Sequence, residues 1–499
     1  MKTRTSRVMK RPTVVSSHFL VLVSAAACCA SGAAGCGAER DAAPSPSSAP
    51  PALSPAIAGE PAANQGATTD SPLPGLPGSP REGGLGEDAT LIGDQPSSGS
   101  SEGPEGVLSG DLPLVYQRED TGVDCADPPL PAFDALPAIA SLPDPFVMSS
   151  GERMTSRAQW RCRRAELRSL LEKYDVGEKP AKPTNVEAAL DGDTIRVTVS
   201  EGAASFTLTA SIGRPPNAAS GPIPAIIGIN TPTGSLPADV FSRRGIATIT
   251  YDANQVAPTS FSDNPRSAGS FFEMYPGATA GYMVRWAWGV SRIIDALEQL
   301  PEANIDVSHL AVSGCSFQGK IALYAGALDE RIALTSPHES GGGGTISWRY
   351  SDMLERRDNT EVENLLHAQG APWYAEALQQ FNDEPDKLPF DHHELMALVA
   401  PRALFAIEST AIARMGAEAA RVDALAARDV YTALGVADRM GATEENTQHC
   451  VWHEGFTVEL EAFVDKFLLG KTDVNTDVLR SRFTIDTDTW IPWSTPALE

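Results

Sequence analysis

The residues with the clearest chemical potential surround Ser316, in the run VSGCSFQGK at 312–320. A strand-like apolar segment precedes this run and a helical pattern follows it. That is the setting of a nucleophile elbow, where a serine sits on a cramped strand-to-helix turn that needs small neighbours. The second glycine falls one position later than in the common Gly-x-Ser-x-Gly form. The run predicts a serine nucleophile, with an ordinary glycine-bounded turn as the alternative.

A serine nucleophile needs a histidine as base and a carboxylate that orients it, in the chain order serine, acid, histidine. Two acids lie at the ends of predicted strands, Glu339 and Glu408. The histidines downstream of the serine are His338, His367, His392, His393, His449 and His453. Position after the last predicted strand favours His449 or His453 as the base.

The adjacent His392 and His393, followed by Glu394, also suggest a metal site. Neighbouring side chains point in different directions on a helix or a strand, and the spacing of zinc ligands is absent. The sequence therefore predicts a helix-start or buried structural role for this pair, and no metal.

The elements that would position these residues alternate between strands and helices. Strands are predicted at 194–199, 206–210, 224–229, 246–250, 309–313, 332–336 and 403–407, and helices at 278–300, 319–328, 416–434 and 457–469. This alternation predicts a mostly parallel sheet covered by helices on both faces, with the early strands as an antiparallel edge. An elbow serine would lie at the carboxyl end of that sheet.

The N-terminal residues are not expected to join this fold. The first twenty residues are basic without an acid, and an apolar run follows at 19–30, which predicts a secretory signal at 1–36 that is too short to span a membrane. A lipoprotein-type signal with a lipid anchor at Cys36 is the alternative to simple secretion. Residues 37–111 are rich in Pro, Ser, Gly and Ala, which predicts a disordered linker before one domain at 112–499.

The charge of the chain excludes one class of partner. The formal net charge is −25, from 39 basic and 64 acidic residues. Nucleic-acid binding depends on Lys and Arg that neutralise phosphates, so no nucleic-acid partner is expected. Outside the signal, no stretch is long and apolar enough for a transmembrane span.

Four of the seven cysteines lie in the predicted domain, at Cys125, Cys162, Cys315 and Cys450. An even number in an exported domain predicts two disulfides, because exported proteins meet an oxidising environment. Three pairings are open on this reasoning.

Several motifs, taken together and in order, resemble the glucuronoyl esterases, carbohydrate esterase family fifteen. The matching segments are WAWGVSRIID at 286–295, GCSFQGK at 314–320, PHESG at 337–341, WR at 348–349, LPFDHH at 388–393, APR at 400–402, HC at 449–450 and WIPW at 490–493. The likeness spans about 112 to the C-terminus. It implies the α/β-hydrolase fold, a three-layer αβα sandwich, and catalysis without a metal or cofactor.

The resemblance also implies roles for individual residues. Ser316 becomes the nucleophile, His449 the general base and Glu339 the orienting acid. Glu408 becomes a second acid that can substitute in some members. Lys320 matches a lysine that contacts sugar hydroxyls.

The same resemblance implies the disulfide pairing. Cys315 pairs with Cys450, beside the nucleophile and the base, and Cys125 pairs with Cys162. Cys315 is then part of a structural disulfide and not a competing nucleophile. His453 is expected at the start of a helix.

The chain departs from the family at several positions. Most members have an arginine directly after the nucleophile that helps to hold the oxyanion, whereas Phe317 offers only its backbone N–H. Counted from the elbow, the sugar-binding Gln and Glu positions of the family fall near Val362 and Gly370. A family tryptophan falls at Arg414.

The prediction is therefore a secreted serine esterase with an altered substrate pocket. The family reaction is hydrolysis of esters between 4-O-methyl-glucuronic acid and lignin alcohols through an acyl-enzyme. The expected partner is a carbohydrate ester such as glucuronoxylan. The alternatives are an esterase for other carboxylate or acyl esters, and a non-catalytic glycan-binding descendant.

Overall fold

The computed structural model of the protein describes residues 112–258, 269–359, 361–368 and 371–499. The predicted signal with Cys36, the predicted linker at 37–111, and Gly370 lie outside the described residues. Within those ranges, no helix is both long enough and apolar enough to cross a membrane.

A nine-stranded sheet runs through the described part of the chain. Its strands are β1 (Asn185–Asp191), β2 (Thr194–Glu201), β3 (Ala204–Gly213), β4 (Ile223–Ile229), β5 (Ala247–Tyr251), β6 (Ile305–Cys315), β7 (Leu334–His338), β8 (Ala403–Ser409) and β9 (Met440–Glu445). The spatial order is β1-β2-β3-β5-β4-β6-β7-β8-β9. The pairs from β1 through β3 to β5 are antiparallel, and all pairs from β5 onward are parallel. The predicted parallel sheet with an antiparallel edge is confirmed.

Helices cover both faces of this sheet. They are α1 (Trp160–Leu171), α2 (Ala238–Ser242), α3 (Ser270–Met274), α4 (Tyr282–Gln299), α5 (Phe317–Leu328), α6 (Trp348–Asp358), α7 (Leu365–Ala368), α8 (His392–Ala397), α9 (Ala417–Ala433), α10 (Thr457–Phe467) and α11 (Thr487–Trp490). Helices α4, α5 and α8 pack into the larger apolar cluster, while α2 and α10 pack into a second cluster.

The side chains of β4 show how the sheet separates these two clusters. Ala225, Ile227 and Ile229 belong to the larger cluster, whereas Ile226 belongs to the second. All four are buried. Successive side chains of a strand point to opposite faces, so an apolar run buried on both sides marks a central parallel strand. The predicted three-layer αβα sandwich is confirmed.

The apolar pattern does not predict the two edge strands, β1 and β9. Along β1, exposed and half-buried residues alternate, because one side of this edge strand faces solvent. The strand β9 contains Gly441 and ends in two glutamates, and Thr443 is its one β-branched residue, so its sequence is not typical of a strand. The strand β7 begins two residues later than predicted and continues through Pro337 and His338.

The carboxyl ends of the central strands gather the chemically interesting residues. Ser316 directly follows β6, Glu339 directly follows β7, and Glu408 lies near the end of β8. His449 lies in the irregular segment 446–453, after β9. Parallel strands place their carboxyl ends along one edge of the sheet, where sites of open α/β sheets form.

Candidate active site

Ser316 lies on a strained turn between β6 and α5. Its φ of 60° and ψ of −130° are costly for a residue with a side chain. Its backbone N–H donates to the carbonyl of His338 at 3.0 Å, which ties the turn to β7. A Cβ on Gly314 would lie 2.4 Å from the Gln318 carbonyl oxygen, and one on Gly319 would lie 2.8 Å from that of His338. This crowding explains why the second glycine stands at 319.

Glu339 is fully buried, with both carboxylate oxygens in polar contacts. Its Oε2 accepts a hydrogen bond from His449 Nδ1 at 2.6 Å, and its Oε1 accepts one from the Cys450 N–H at 3.2 Å. His338 Nε2 lies 3.2 Å from Oε1. Burial raises the pKa of Glu339, but its contacts with His338 and His449 outweigh burial, so the pKa is lowered. The carboxylate therefore stays charged at neutral pH.

His449 combines a buried partner with an accessible ring. Its Nδ1 is bonded to Glu339, while 36% of its side chain is exposed. One of its ring nitrogens lies within 4.8 Å of the sulfurs of Cys315 and Cys450. With the Nδ1 hydrogen held by the carboxylate, Nε2 is the nitrogen that can take a proton. His449 therefore lies beside Cys315, the residue that precedes Ser316, with its ring partly exposed.

Two disulfides hold the described chain, and they have the pairing that the resemblance implies. Cys315 is bonded to Cys450 with Cα atoms 5.8 Å apart, and Cys125 to Cys162 with Cα atoms 5.4 Å apart. The first joins the nucleophile turn to the histidine segment. Because both of its sulfurs are in the bridge, they cannot act as thiolate ligands beside His449.

Glu408, the alternative acid, is buried in a different setting. Its Oε1 accepts a hydrogen bond from the Thr345 hydroxyl. Burial raises the pKa of Glu408 to about 8. The hydrogen bond from Thr345 acts in the opposite direction, and the nearby charges of Glu339 and Glu444 add to the effect of burial. Glu408 is therefore mainly neutral at pH 7. A neutral carboxyl cannot stabilise an imidazolium as a carboxylate does.

A polar group lies on the α5 side of the turn. Lys320 is buried, and its Nζ donates to the Ser340 carbonyl at 2.5 Å and to Glu363 Oε2 at 3.2 Å. Glu363 also accepts from the Gly342 N–H at 3.0 Å. Burial lowers the pKa of Lys320, with Glu363 acting in the opposite direction. Lys320 and Glu363 thus form an ion pair with little exposure that joins α5 to the segment 361–363.

Sequence reasoning missed Glu363. Counting from the elbow points to Val362, but that side chain is buried in an apolar cluster with Ile346 and Leu354. The neighbouring Glu363 is the residue that reaches Lys320. The polar-apolar-polar pattern of residues 361–363 is the signal that could have identified it, because alternation turns the two glutamates away from the side that Val362 buries.

Arg414 lies over the same segment and is half exposed. Its guanidinium pairs with Glu361 and lies 3.7 Å from Glu363. Its backbone carbonyl accepts from the Glu363 N–H at 2.9 Å. The position expected for a family tryptophan therefore carries a charged group that holds the Glu363 segment in place.

Phe317 begins α5 and is half buried between two tryptophans. Its ring centroid lies 6.1 Å from that of Trp373, with planes 25° apart, and 6.0 Å from that of Trp286. The Lys320 ammonium lies 5.9 Å from the Trp373 ring. In a nucleophile elbow, the backbone N–H of the residue after the nucleophile contributes to the oxyanion hole, and here that residue is Phe317.

Three other histidines, His392, His393 and His453, occupy structural positions. His392 Nδ1 donates to the Gly344 carbonyl at 2.7 Å, and His393 Nε2 to that of Pro143 at 2.9 Å. The two rings therefore have different partners, as the predicted structural role requires. Burial lowers the pKa of His393 to about 4. His453 caps a short 3-10 helix, where its Nδ1 accepts from the backbone at 3.1 Å.

The two buried acids generate a matched prediction. Glu339→Gln removes the charge that orients His449, and we expect a loss in kcat of about 10³-fold or more. Glu408→Gln replaces a group that is already neutral, and we expect a loss of less than about tenfold. Steady-state kinetics of both variants, with melting temperatures as the control for folding, make the comparison. Equal or reversed losses would move the acid to β8.

Comparison with known proteins gives concordant results. A family model described as glucuronyl esterase, fungi, matches residues 197–435. A 4-O-methyl-glucuronoyl methylesterase from Hypocrea jecorina is 38% identical over 372 residues, covering 74% of this chain and 78% of the relative. One from Podospora anserina is 37% identical over 378 residues, covering 74% and 77%.

Solved structures agree. The glucuronoyl esterase catalytic domain from Hypocrea jecorina superposes with a TM-score of 0.70 at 38% identity, covering 74% of this chain and all of that domain. A mutant glucuronoyl esterase from Sporotrichum thermophile, in complex with methyl 4-O-methyl-β-D-glucopyranuronate, gives 0.69 at 35% identity, covering 75% of this chain and all of that one. The chain belongs to the glucuronoyl esterase family.

Proposed function

We propose that this chain is a serine esterase that hydrolyses esters of 4-O-methyl-glucuronic acid through Ser316, His449 and Glu339. The observation that carries the proposal is the 2.6 Å bond between His449 and a buried, charged Glu339. The disulfide beside Ser316 brings this pair to the nucleophile turn. A seryl nucleophile, a base and a carboxylate are the parts that acyl transfer requires.

The reaction proceeds in two halves. Ser316 Oγ attacks the ester carbonyl while His449 Nε2 takes its proton, and the imidazolium is stabilised by Glu339. The backbone N–H of Phe317 holds the oxyanion. His449 then gives the proton to the departing alcohol, which leaves an acyl-enzyme. Water, activated by the same histidine, releases the uronic acid and restores the serine.

The substrate assignment rests on the relatives and on the polar side of the site. Two relatives carry the name 4-O-methyl-glucuronoyl methylesterase, and a neighbouring structure contains a methyl ester of 4-O-methyl-glucuronate. In this chain, the paired Lys320 and Glu363 supply a donor and an acceptor for sugar hydroxyls. A glucuronoxylan or lignin-carbohydrate ester is therefore the proposed partner.

A second candidate is an esterase for more apolar acyl esters. The half-buried ring of Phe317, stacked with Trp373, favours it because an aromatic surface replaces a cationic side chain beside the nucleophile. The hydrogen bond between His449 and Glu339 argues against a non-catalytic glycan-binding protein, because binding alone does not require this pair.

We also propose that the protein is exported. The basic and apolar pattern at 1–36 and two disulfides in the domain support passage into an oxidising compartment. Lipid attachment at Cys36 would anchor the domain to the cell envelope through the linker that the sequence predicts at 37–111.

The proposal is tested by kinetics on two esters. The purified protein should hydrolyse benzyl glucuronate with a higher kcat/KM than p-nitrophenyl acetate. Ser316→Ala should retain less than about a thousandth of the activity, because loss of a nucleophile costs about 10⁴-fold or more. Ser308→Ala, an exposed serine of β6, is the matched control and should retain activity. Activity on the acetate alone would favour the second candidate, and an active Ser316→Ala would reject the triad.

Phe317 gives a separate prediction. Phe317→Arg should raise kcat on benzyl glucuronate about tenfold, equivalent to about 1.4 kcal/mol, because an added oxyanion donor acts on the barrier rather than on ground-state binding. An arginine here can also stack on Trp373. If Phe317 instead contacts an apolar acyl group, the substitution lowers activity on p-nitrophenyl esters and gives no gain on the glucuronate.

A further inference from the structure

A second histidine, His338, contacts the proposed acid. It is the last residue of β7, directly before Glu339, and its side chain is fully buried. Its backbone carbonyl accepts from the Ser316 N–H at 3.0 Å. His338 thus touches both the nucleophile turn and the acid, although the proposed reaction uses only His449 as a base.

The two ring nitrogens of His338 have different neighbours. Nδ1 lies 2.6 Å from Ser235 Oγ, and Nε2 lies 3.2 Å from Glu339 Oε1. The second contact is close but poorly aligned for a hydrogen bond; catalytic hydrogen bonds often tighten only when substrate is bound. The partners assign the tautomer: the Ser235 hydroxyl donates to Nδ1, and the hydrogen on Nε2 faces the carboxylate.

Ser235 belongs to the loop 230–237, between β4 and α2. In this loop, Gly234 packs so closely on the nucleophile turn that a Cβ would lie 2.7 Å from the Gly314 backbone nitrogen. The corresponding loop of serine hydrolases with this fold supplies a second oxyanion N–H. The contacts therefore run from this loop through Ser235, His338 and Glu339 to His449.

We propose that His338, oriented by Ser235, is a positioning residue that holds Glu339 with Oε2 toward His449 and couples the loop 230–237 to the triad. This inference rests on the proposed triad. The His338 ring and the Cys450 N–H both contact Oε1 of Glu339. These contacts fix the orientation of the carboxylate, so that Oε2 faces His449. Without His338, Oε1 keeps only its backbone donor, the Cys450 N–H.

The surroundings favour positioning over proton transfer. Trp452 and Phe456 pack edge-on against the His338 ring, each with a centroid distance of 6.2 Å, and exclude solvent. The titratable groups that act on Glu339 are His338 on β7 and His449 after β9, and Glu339 in turn acts on Glu408 of β8. Of the two histidines, His449 combines a hydrogen bond to Glu339 with a partly exposed side chain, whereas the His338 side chain is fully buried.

A matched pair of substitutions separates the two ring nitrogens. The amide of His338→Gln reaches the position of Nε2 and keeps a donor for Glu339, whereas that of His338→Asn reaches only the position of Nδ1. On benzyl glucuronate, we expect His338→Asn to lower kcat about tenfold or more with little change in KM, since the lost contact is to a charged group. His338→Gln should stay within about threefold of the wild type.

The pH profile distinguishes positioning from a structural role. If Glu339 turns away from His449, the imidazolium loses its partner, and the acidic limb of kcat/KM moves to lower pH by about half a unit or more in His338→Asn. Ser235→Ala should move it in the same direction by less, and this variant keeps the test open if His338→Asn does not fold. An unmoved limb, or one moved upward, would overturn the proposal.

A double-mutant cycle with Glu339→Ala completes the test. If His338 acts through Glu339, His338→Asn has no further effect on kcat in the Glu339→Ala background. A full additional loss there would contradict the coupling. Ser316→Ala separates the two levels of inference: an active Ser316→Ala rejects the triad itself, whereas an inactive Ser316→Ala with a wild-type-like His338→Asn rejects only the role of His338.

Discussion

The disulfide between Cys315 and Cys450 is the constraint on which the site depends. The sheet places Ser316 and Glu339 at the ends of adjacent central strands, but His449 comes from an irregular segment beyond the edge strand β9. The bridge fixes that segment next to Ser316, and the Cys450 N–H also binds Glu339. It closes a loop with a sequence separation of 135, for which the chain-entropy model gives about 4 to 5 kcal/mol.

Near this bridge lie two buried acids, of which Glu339 is charged and Glu408 is mainly neutral at pH 7. Burial raises the pKa of Glu339, but its contacts with two histidines outweigh this effect, and the pKa is lowered. Glu408 is also buried, but has a single hydroxyl donor and feels the charge of Glu339. Two charged carboxylates so close together would repel, so the neutral state of one supports the charged state of the other. The arrangement concentrates the negative charge where His449 needs it.

Local patterns could predict the elbow, because its strand, turn and helix are contiguous and crowding restricts its glycines. The acid and base could not be chosen by pattern alone. The pattern left both Glu339 and Glu408 as candidates for the acid, because only the fold shows which strand end lies beside His449. The family resemblance favoured Glu339. Counting along the chain from the elbow did not identify Glu363. The count ends one residue earlier, at Val362, whose side chain is buried in an apolar cluster, whereas the side chain of Glu363 contacts Lys320. The contact of His338 with Glu339 depends on side-chain direction, which the pattern does not carry.

The most direct test of this account removes each bridge in turn and measures kcat on benzyl glucuronate at a temperature where circular dichroism reports a folded domain. Cys315→Ala with Cys450→Ala should lower kcat about a hundredfold or more, because misplacement of catalytic groups by an ångström can cost this much. Cys125→Ala with Cys162→Ala, the matched control, should lower the melting temperature but keep kcat within about threefold. A folded protein without the Cys315–Cys450 bridge that retained wild-type kcat would contradict the account.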